Sequence, residues 1–66
     1  MQVIIQGKIE QIPSGTTIQE LIAAKNLDPS RVVAELNREI VSGERFHETV
    51  LHEGDRLELL QFVGGG

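Results

Sequence analysis

The chain has 66 residues and a mass of 7.3 kDa, with no cysteine, 3% aromatic residues and a formal net charge of −4 at pH 7. A chain of this length forms one domain, and without cysteine it has no disulfide framework, no thiolate nucleophile and no cysteine-based metal site. Scattered basic residues and few aromatic rings disfavour nucleic-acid binding, and the lack of a long apolar stretch or a basic leader indicates a soluble, cytoplasmic protein that does not enter a membrane.

A β-hairpin is predicted at the start of the chain. Residues 2–6 and 9–12 contain β-branched residues and are joined by Gly7-Lys8, which is typical of two short strands around a tight turn. Pro13-Ser14-Gly15 then ends this part of the sheet, because proline and glycine favour a turn.

A helix is predicted in the next segment. Thr17 and Glu20 fit the Thr-x-x-Glu capping box that opens helices. Residues 18, 21 and 22 are apolar at the spacing i, i+3 and i+4, so they share one helical face. The helix is expected to end at Asn26 and the following Pro29, because proline cannot continue it.

The second half of the chain alternates apolar runs with turn residues, which predicts three more strands. They cover residues 31–36, 40–41 and 56–63, with a turn at 37–39. Between them, Phe46, Val50 and Leu51 are predicted to anchor the core. The order β-β-α-β-β-β predicts an α+β domain in which one helix covers one face of the sheet.

Side chains that could carry out catalysis are sparse. His47 and His52 are five residues apart, a spacing that puts them on one face of neither a helix nor a strand, so we interpret them as solvated surface residues. Scattered carboxylates on a small acidic domain more often keep it soluble than bind a metal, so no metal site is predicted. We therefore do not expect an autonomous enzyme.

The chain ends in three consecutive glycines, Gly64, Gly65 and Gly66, directly after an apolar strand. Glycine is costly to order, so we predict a folded domain over residues 1–63 and a flexible tail over residues 64–66. Fully extended, three residues reach about 10 Å, enough to carry the α-carboxylate of Gly66 down a narrow channel into another protein. The alternative is a frayed terminus without function.

The last predicted strand changes character towards this tail. Leu57 and Leu59 form one apolar face, which is expected to lie in the core. The opposite face begins polar and becomes apolar at Leu60 and Phe62, a pattern typical of a docking surface, and Ile4 on the first strand is expected to extend it. The alternative is that a loop partly covers Leu60 and Phe62.

The predicted element order and the glycine pair at the end resemble a known fold. The chain resembles the ubiquitin-like β-grasp fold, with a mixed sheet of four to five strands packed against one main helix. Within that fold it resembles the ThiS family of small sulfur carrier proteins of thiamine biosynthesis. The matching segments cover residues 35–41, 54–60 and 62–66. Ser42-Gly43 depart from the family pattern, in which a Pro-Arg pair often follows the Ile-Val.

The resemblance implies that the protein is a substrate and not a catalyst. A ThiF-like activating enzyme would adenylate the carboxylate of Gly66 with ATP, so the carrier itself would bind no cofactor. A sulfur donor, either a cysteine desulfurase or a rhodanese-like protein, would then give a thiocarboxylate that passes its sulfur to thiazole synthase. Gly64 and Gly65 would lead into the partner's active site, and Leu60 and Phe62 would anchor the activating enzyme.

Three alternatives to this function remain open at the level of sequence. The small subunit of molybdopterin synthase uses the same terminal chemistry with a different acceptor. A ubiquitin-like modifier is joined to lysines of other proteins. An interaction module of the same fold would carry an inert tail.

Overall fold

The computed structural model describes residues 1–62, so the predicted tail and Val63 lie outside the described residues. Within residues 1–62 the structure has five strands and one α-helix. They are β1 (Gln2–Ile5), β2 (Lys8–Gln11), α1 (Ile18–Ala24), β3 (Val32–Leu36), β4 (Glu39–Val41) and β5 (Arg56–Gln61). The strands form one mixed sheet in the order β2-β1-β5-β3-β4, in which only β1 and β5 run parallel among the described pairings. The predicted order of elements is confirmed.

The hairpin turn lies one residue earlier than predicted. Its loop is Gln6-Gly7, and both residues have positive φ angles, 52° and 78°. This is the geometry of a type I′ turn, whose twist matches that of the flanking strands and which favours glycine at its second position. Lys8 therefore begins β2, opposite Ile5, and does not belong to the turn.

The turn between β3 and β4 follows the same rule. Asn37 and Arg38 have φ angles of 50° and 71°, and Leu36 pairs with Glu39 across the loop. Glu39 was predicted to lie in the turn but opens β4. A two-residue loop with both φ angles positive is enough to reverse the chain, so the third residue returns to the sheet.

The helix α1 begins as predicted. The Thr17 hydroxyl accepts a hydrogen bond from the Glu20 backbone N–H at 3.1 Å, and the Glu20 carboxylate accepts one from the Thr17 backbone N–H at 2.9 Å. These bonds satisfy N–H groups that have no partner within the helix. The helix ends at Ala24, and Asn26 follows in a left-handed conformation. Within residues 1–62, no helix is long and apolar enough to cross a membrane.

The core lies between α1 and one face of the sheet. Its buried side chains are Val3, Ile5, Ile12, Ile18, Leu21, Ile22, Val32, Ala34, Phe46, Leu51, Leu57 and Leu59. Phe46 and Leu51 anchor it as predicted. Val50 was also predicted to be a core anchor, but it is 39% exposed, so this prediction is wrong. Val50 forms an isolated bridge with Thr17, and the alternation of extended backbone turns Leu51 inward and Val50 outward.

The hairpin offers a matched test of this core. Ile5→Ala removes a side chain that is 1% exposed, so we expect a loss of about 2–5 kcal/mol in the free energy of unfolding. Ile9→Ala removes the same atoms from a residue that is 65% exposed, and we expect a loss of at most about 1 kcal/mol. Urea unfolding of both variants measures the difference, and equal losses would contradict the described packing.

Candidate functional site

The strand β5 separates core and surface along its length. Leu57 and Leu59 are 1% and 4% exposed, whereas Leu60 and Phe62 are 62% and 60% exposed. Successive side chains of a strand point to opposite faces, so Leu60 and Phe62 lie on the sheet face away from α1. The predicted inward face of β5 is confirmed. The alternative that a loop covers Leu60 and Phe62 is wrong for the part of the chain that the structure describes.

Strand β3 holds this exposed end of β5. Leu60 lies opposite Val33, which is half-buried on the same outer face of the sheet. The Phe62 backbone N–H donates a hydrogen bond to the Arg31 carbonyl at 2.8 Å, so the antiparallel pairing continues past the end of β5. We call Leu60, Phe62 and Val33 the β5 patch. It is an apolar surface on a fixed strand, at the end of the sheet where the chain continues to its terminal glycines.

The third predicted interface residue, Ile4, lies apart from the β5 patch. It is half-buried on the outer face of β1, in register with Ile9 on β2 and with Arg56 on β5. Leu60 follows Arg56 by four residues, which is about 13 Å along a strand. Ile4 therefore pairs with Ile9, which is 65% exposed, and does not extend the patch.

Sequence reasoning missed Ile9 because it placed the hairpin turn at Gly7-Lys8. A shift of one residue in register moves every side chain of a strand to the other face. With the loop at Gln6-Gly7, Ile4 and Ile9 are direct cross-strand neighbours. The signal that could have revealed the pair is the preference of two-residue hairpins for glycine at the second loop position.

Charged side chains separate the Ile4–Ile9 pair from the β5 patch. Glu35 and Glu58 lie opposite each other on β3 and β5, and a shallow cavity beside them is also lined by Arg38 and Arg56. Within residues 1–62, no salt bridge involves any of these four side chains. Towards the start of β5, charged side chains therefore border the patch, and the exposed Ile40 lies beyond Glu35 on β4.

The histidines lie at the surface, as predicted. The side chains of His47 and His52 are 64% and 79% exposed. His47 is 3.8 Å from the Glu48 carboxylate, and His52 is 3.9 Å from the Asp55 carboxylate. No group of three or more histidine or carboxylate side chains among the described residues is arranged to hold a metal ion.

A short turn leads from α1 into β3 and sets the start of the strand that supports the patch. The Asp28 carboxylate accepts hydrogen bonds from the Ser30 backbone N–H at 2.9 Å and from the Ser30 hydroxyl at 2.7 Å. It caps the 3₁₀ turn Pro29–Arg31, and Arg31 provides the carbonyl to which Phe62 donates. The sequence predicts only that the helix ends before Pro29, so this turn is a finding of the structure.

The pKa of Asp28 lies below its usual value of 3.8. The main causes are the hydrogen bonds from the Ser30 hydroxyl and the Ser30 backbone N–H, and the Arg31 guanidinium contributes less. Each of these partners favours the charged carboxylate over the protonated acid. The stabilisation that this carboxylate provides is therefore present above pH 3.8 and is lost as the pH falls through the lowered pKa of the folded state.

Comparison with known proteins identifies the family. A profile of the ThiS family matches residues 2–66. The chain belongs to the ThiS family. It is 46% identical over 50 residues to the sulfur carrier protein ThiS of Bacillus subtilis, covering 76% of each chain. It is 32% identical to the thiamine biosynthesis protein ThiS of Geobacter metallireducens, whose crystal structure matches with a TM-score of 0.84 over the full length of both chains. The ubiquitin-like β-grasp fold is confirmed.

The chain is also similar to part of a larger protein. It is 30% identical over 66 residues to the thiazole synthase of Paramagnetospirillum magneticum. The match covers all of this chain but 20% of that protein. The thiazole synthase of Magnetococcus marinus matches in the same way, at 32% identity over 66 residues. Both of these larger proteins therefore contain a segment similar to the whole of this chain.

The turn at Asp28 allows a test of its electrostatics. We expect the pKa of the Asp28 carboxyl to lie below 3.8 in the folded protein and to move towards that value in Ser30→Ala, which removes the hydroxyl donor. Titration of the carboxyl carbon by NMR measures both values. Asp28→Asn keeps an acceptor for the Ser30 N–H but no longer titrates, so its stability should fall less on acidification than that of the wild type. An Asp28 pKa that is unchanged by Ser30→Ala would contradict this account.

Proposed function

We propose that this chain is a sulfur carrier of thiamine biosynthesis that carries sulfur as a thiocarboxylate on Gly66. The observation that carries the proposal is that the ThiS family match extends to residue 66 and so includes Gly65 and Gly66. The Bacillus subtilis relative, which is named a sulfur carrier protein, supports the same role. In this proposal the protein is a substrate of other enzymes and has no catalytic site of its own.

The chemistry requires activation of the terminal carboxylate. A carboxylate is a poor electrophile, so an activating enzyme of the ThiF type joins it to AMP from ATP and releases pyrophosphate. The terminal sulfur of a persulfide on a cysteine desulfurase or rhodanese-like donor attacks the acyl carbon, and AMP leaves. A second thiol reduces the resulting acyl disulfide and is itself oxidised, which releases the Gly66 thiocarboxylate. ATP is therefore a substrate of the partner and not a cofactor of the carrier.

The geometry of β5 explains why the β5 patch is the proposed docking surface. Four residues after Phe62 the chain reaches Gly66, and four extended residues span at most about 14 Å. Any enzyme that acts on the Gly66 carboxylate must therefore sit close to the end of β5. Leu60 and Phe62 are exposed there on a strand that β3 holds in place, and aromatic and aliphatic anchors of this kind contribute much of the energy of protein interfaces.

The proposed sulfur acceptor is thiazole synthase. Two thiazole synthases contain a segment similar to the whole of this chain, so a carrier-like segment is part of the same polypeptide that the name thiazole synthase describes. Two functions joined in one chain usually act on the same substrate in succession. This similarity favours thiazole synthase over molybdopterin synthase as the protein that receives the sulfur.

The terminal chemistry can be tested by intact-mass spectrometry. After incubation with ATP, the activating enzyme and the sulfur donor, we expect a mass gain that corresponds to replacement of one oxygen by sulfur. Deletion of Gly66, or addition of one residue after it, should abolish this gain, because the reacting carboxylate is displaced from the adenylating site.

The deletion variant needs a control that shows its fold is intact. Urea unfolding of the deletion variant should match that of the wild type, which separates loss of the reactive group from loss of the fold. Thiocarboxylate formation on the truncated chain would overturn the proposal. Higher-mass conjugates with other proteins would indicate a ubiquitin-like modifier.

The docking surface has its own matched test. Leu60→Asp should lower the affinity for the activating enzyme at least tenfold, about 1.4 kcal/mol or more, because a carboxylate replaces an anchor that must leave water. Ile9→Asp makes the same kind of change at a residue on β2 that is 65% exposed and level with the start of β5, and we expect no effect on binding. Isothermal titration of each folded variant with the activating enzyme measures the difference. Equal affinities for both variants would show that the β5 patch is not the docking surface.

A further inference from the structure

Strand β1 supports only the first part of β5. The parallel pairing joins Ile4 with Arg56 and Ile5 with Leu57. At Gln6 the backbone has a φ angle of 52° and turns away into the hairpin loop. The end of β5, from Leu59 onwards, therefore has β3 on one side and no paired residue of β1 on the other.

The side chain of Gln6 takes the place of the missing strand. Its Nε2 donates a hydrogen bond to the Leu59 carbonyl at 2.7 Å, and its Oε1 accepts one from the Leu59 N–H at 3.0 Å. A primary amide offers one donor and one acceptor side by side, as a peptide group does. The Gln6 backbone N–H also donates to the Leu57 carbonyl at 3.1 Å. Gln6 thus makes three hydrogen bonds to β5. The two side-chain bonds join residues that are 53 positions apart in the sequence.

These bonds act on the segment that presents the β5 patch. The hydrogen-bonding groups of Leu60 and Phe62 point towards β3, as the bond from Phe62 to Arg31 shows. Those of Leu59 point the other way, towards Gln6. The pair of bonds from Gln6 lies one residue before Leu60, so it fixes the strand from the side that β3 cannot reach.

From this geometry we propose that Gln6 is a positioning residue for docking. It holds the end of β5 against fraying, so that Leu60 and Phe62 meet the enzyme that adenylates Gly66 as preorganised anchors. The inference rests on the proposed function. Without the Gln6 side chain, the free protein samples open forms of the last residues of β5, and docking must first order them. The chemical step at Gly66 is unchanged once the complex has formed.

Gln11 provides a matched control on the same hairpin. Its Nε2 donates to the Gln2 side-chain oxygen at 3.3 Å, an exposed contact between β2 and β1 that is remote from the end of β5. Gln6→Asn and Gln11→Asn each shorten a glutamine by one methylene and keep the amide. Asparagine tolerates a positive φ angle, so Gln6→Asn removes the reach to Leu59 without adding backbone strain.

The experiment measures adenylation kinetics by ATP–pyrophosphate exchange and backbone amide hydrogen exchange on the same full-length variants. For Gln6→Asn we expect KM of the carrier for the adenylating enzyme to rise about tenfold with kcat unchanged, because only the ordering cost of docking increases. Amide exchange should accelerate at Leu59 and Phe62 and stay unchanged at Ile4, which donates to Asp55 at 2.8 Å. Gln11→Asn should change neither the kinetic constants nor these amides.

Faster amide exchange with an unchanged KM would assign Gln6 a structural role only and overturn the inference. Unchanged exchange at Leu59 and Phe62, or a fall in kcat at constant KM, would also overturn it. Failure of the proposed function is distinguishable, because the wild-type chain itself would then support no pyrophosphate exchange, and the inference would fall with it. Failure of the inference alone appears only in the comparison of Gln6→Asn with the wild type.

Discussion

The antiparallel pairing of β5 with β3 is the interaction on which the rest of the structure depends. It runs from Leu57 opposite Leu36 to Gln61 opposite Val32, and the Phe62 N–H extends it to Arg31. Because the register is fixed, Leu57 and Leu59 enter the core and Leu60 is placed beside Val33 on the outer face. A shift of one residue would reverse both outcomes, burying Leu60 and exposing Leu57 and Leu59. Stability and presentation of the terminus are thus set by the same hydrogen bonds.

Because one register sets both faces of the sheet, the inner face can supply the core while the outer face exposes apolar side chains. The inner face and α1 supply an apolar core, and no polar or charged residue is fully buried among residues 1–62. A core of apolar side chains places few demands on hydrogen bonding, so a chain of 66 residues that has no cysteine can reach a folded state without disulfides. Leu60 and Phe62, on the outer face, are exposed and contribute little buried apolar area to the stability of the fold. A small carrier can therefore expose large apolar side chains without losing its fold.

The sequence predicts those features that depend on local chemistry or on the period of apolar residues. The Thr17–Glu20 capping box, the buried face of α1 and the alternation of β5 each follow from residues within one element. Features that depend on the register between strands are harder to predict from the sequence. The hairpin turn was placed one residue late, which concealed the contact of Ile4 with Ile9, and Val50 was assigned to the core although its neighbour Leu51 already occupies that side.

The two side-chain bonds of Gln6 mark the limit of sequence reasoning. Their partner is 53 positions away, and nothing local to Gln6 indicates that β1 ends before β5 does. Only the sheet order, with β5 inserted between β1 and β3, brings the amide beside Leu59. The glycines at the end of the chain present the reverse case. The sequence singles them out and the family match extends over them, but they lie outside the described residues.

The short reach of the terminus has a further consequence for a carrier of this kind. In the proposed function, an activating enzyme, a sulfur donor and an acceptor must all approach a carboxylate that the chain can carry at most about 14 Å from Phe62. Surfaces of the usual size for stable complexes bury about 800 Å² on each partner, far more than the area of three side chains. Two such partners cannot share the end of β5, so they must bind in turn. In the proposed function, discrimination among them depends on charged residues around the β5 patch. Arg31 lies opposite Phe62 and pairs with Asp28. Glu35, Glu58 and Arg56 lie further along the paired strands, and no salt bridge among the described residues involves them.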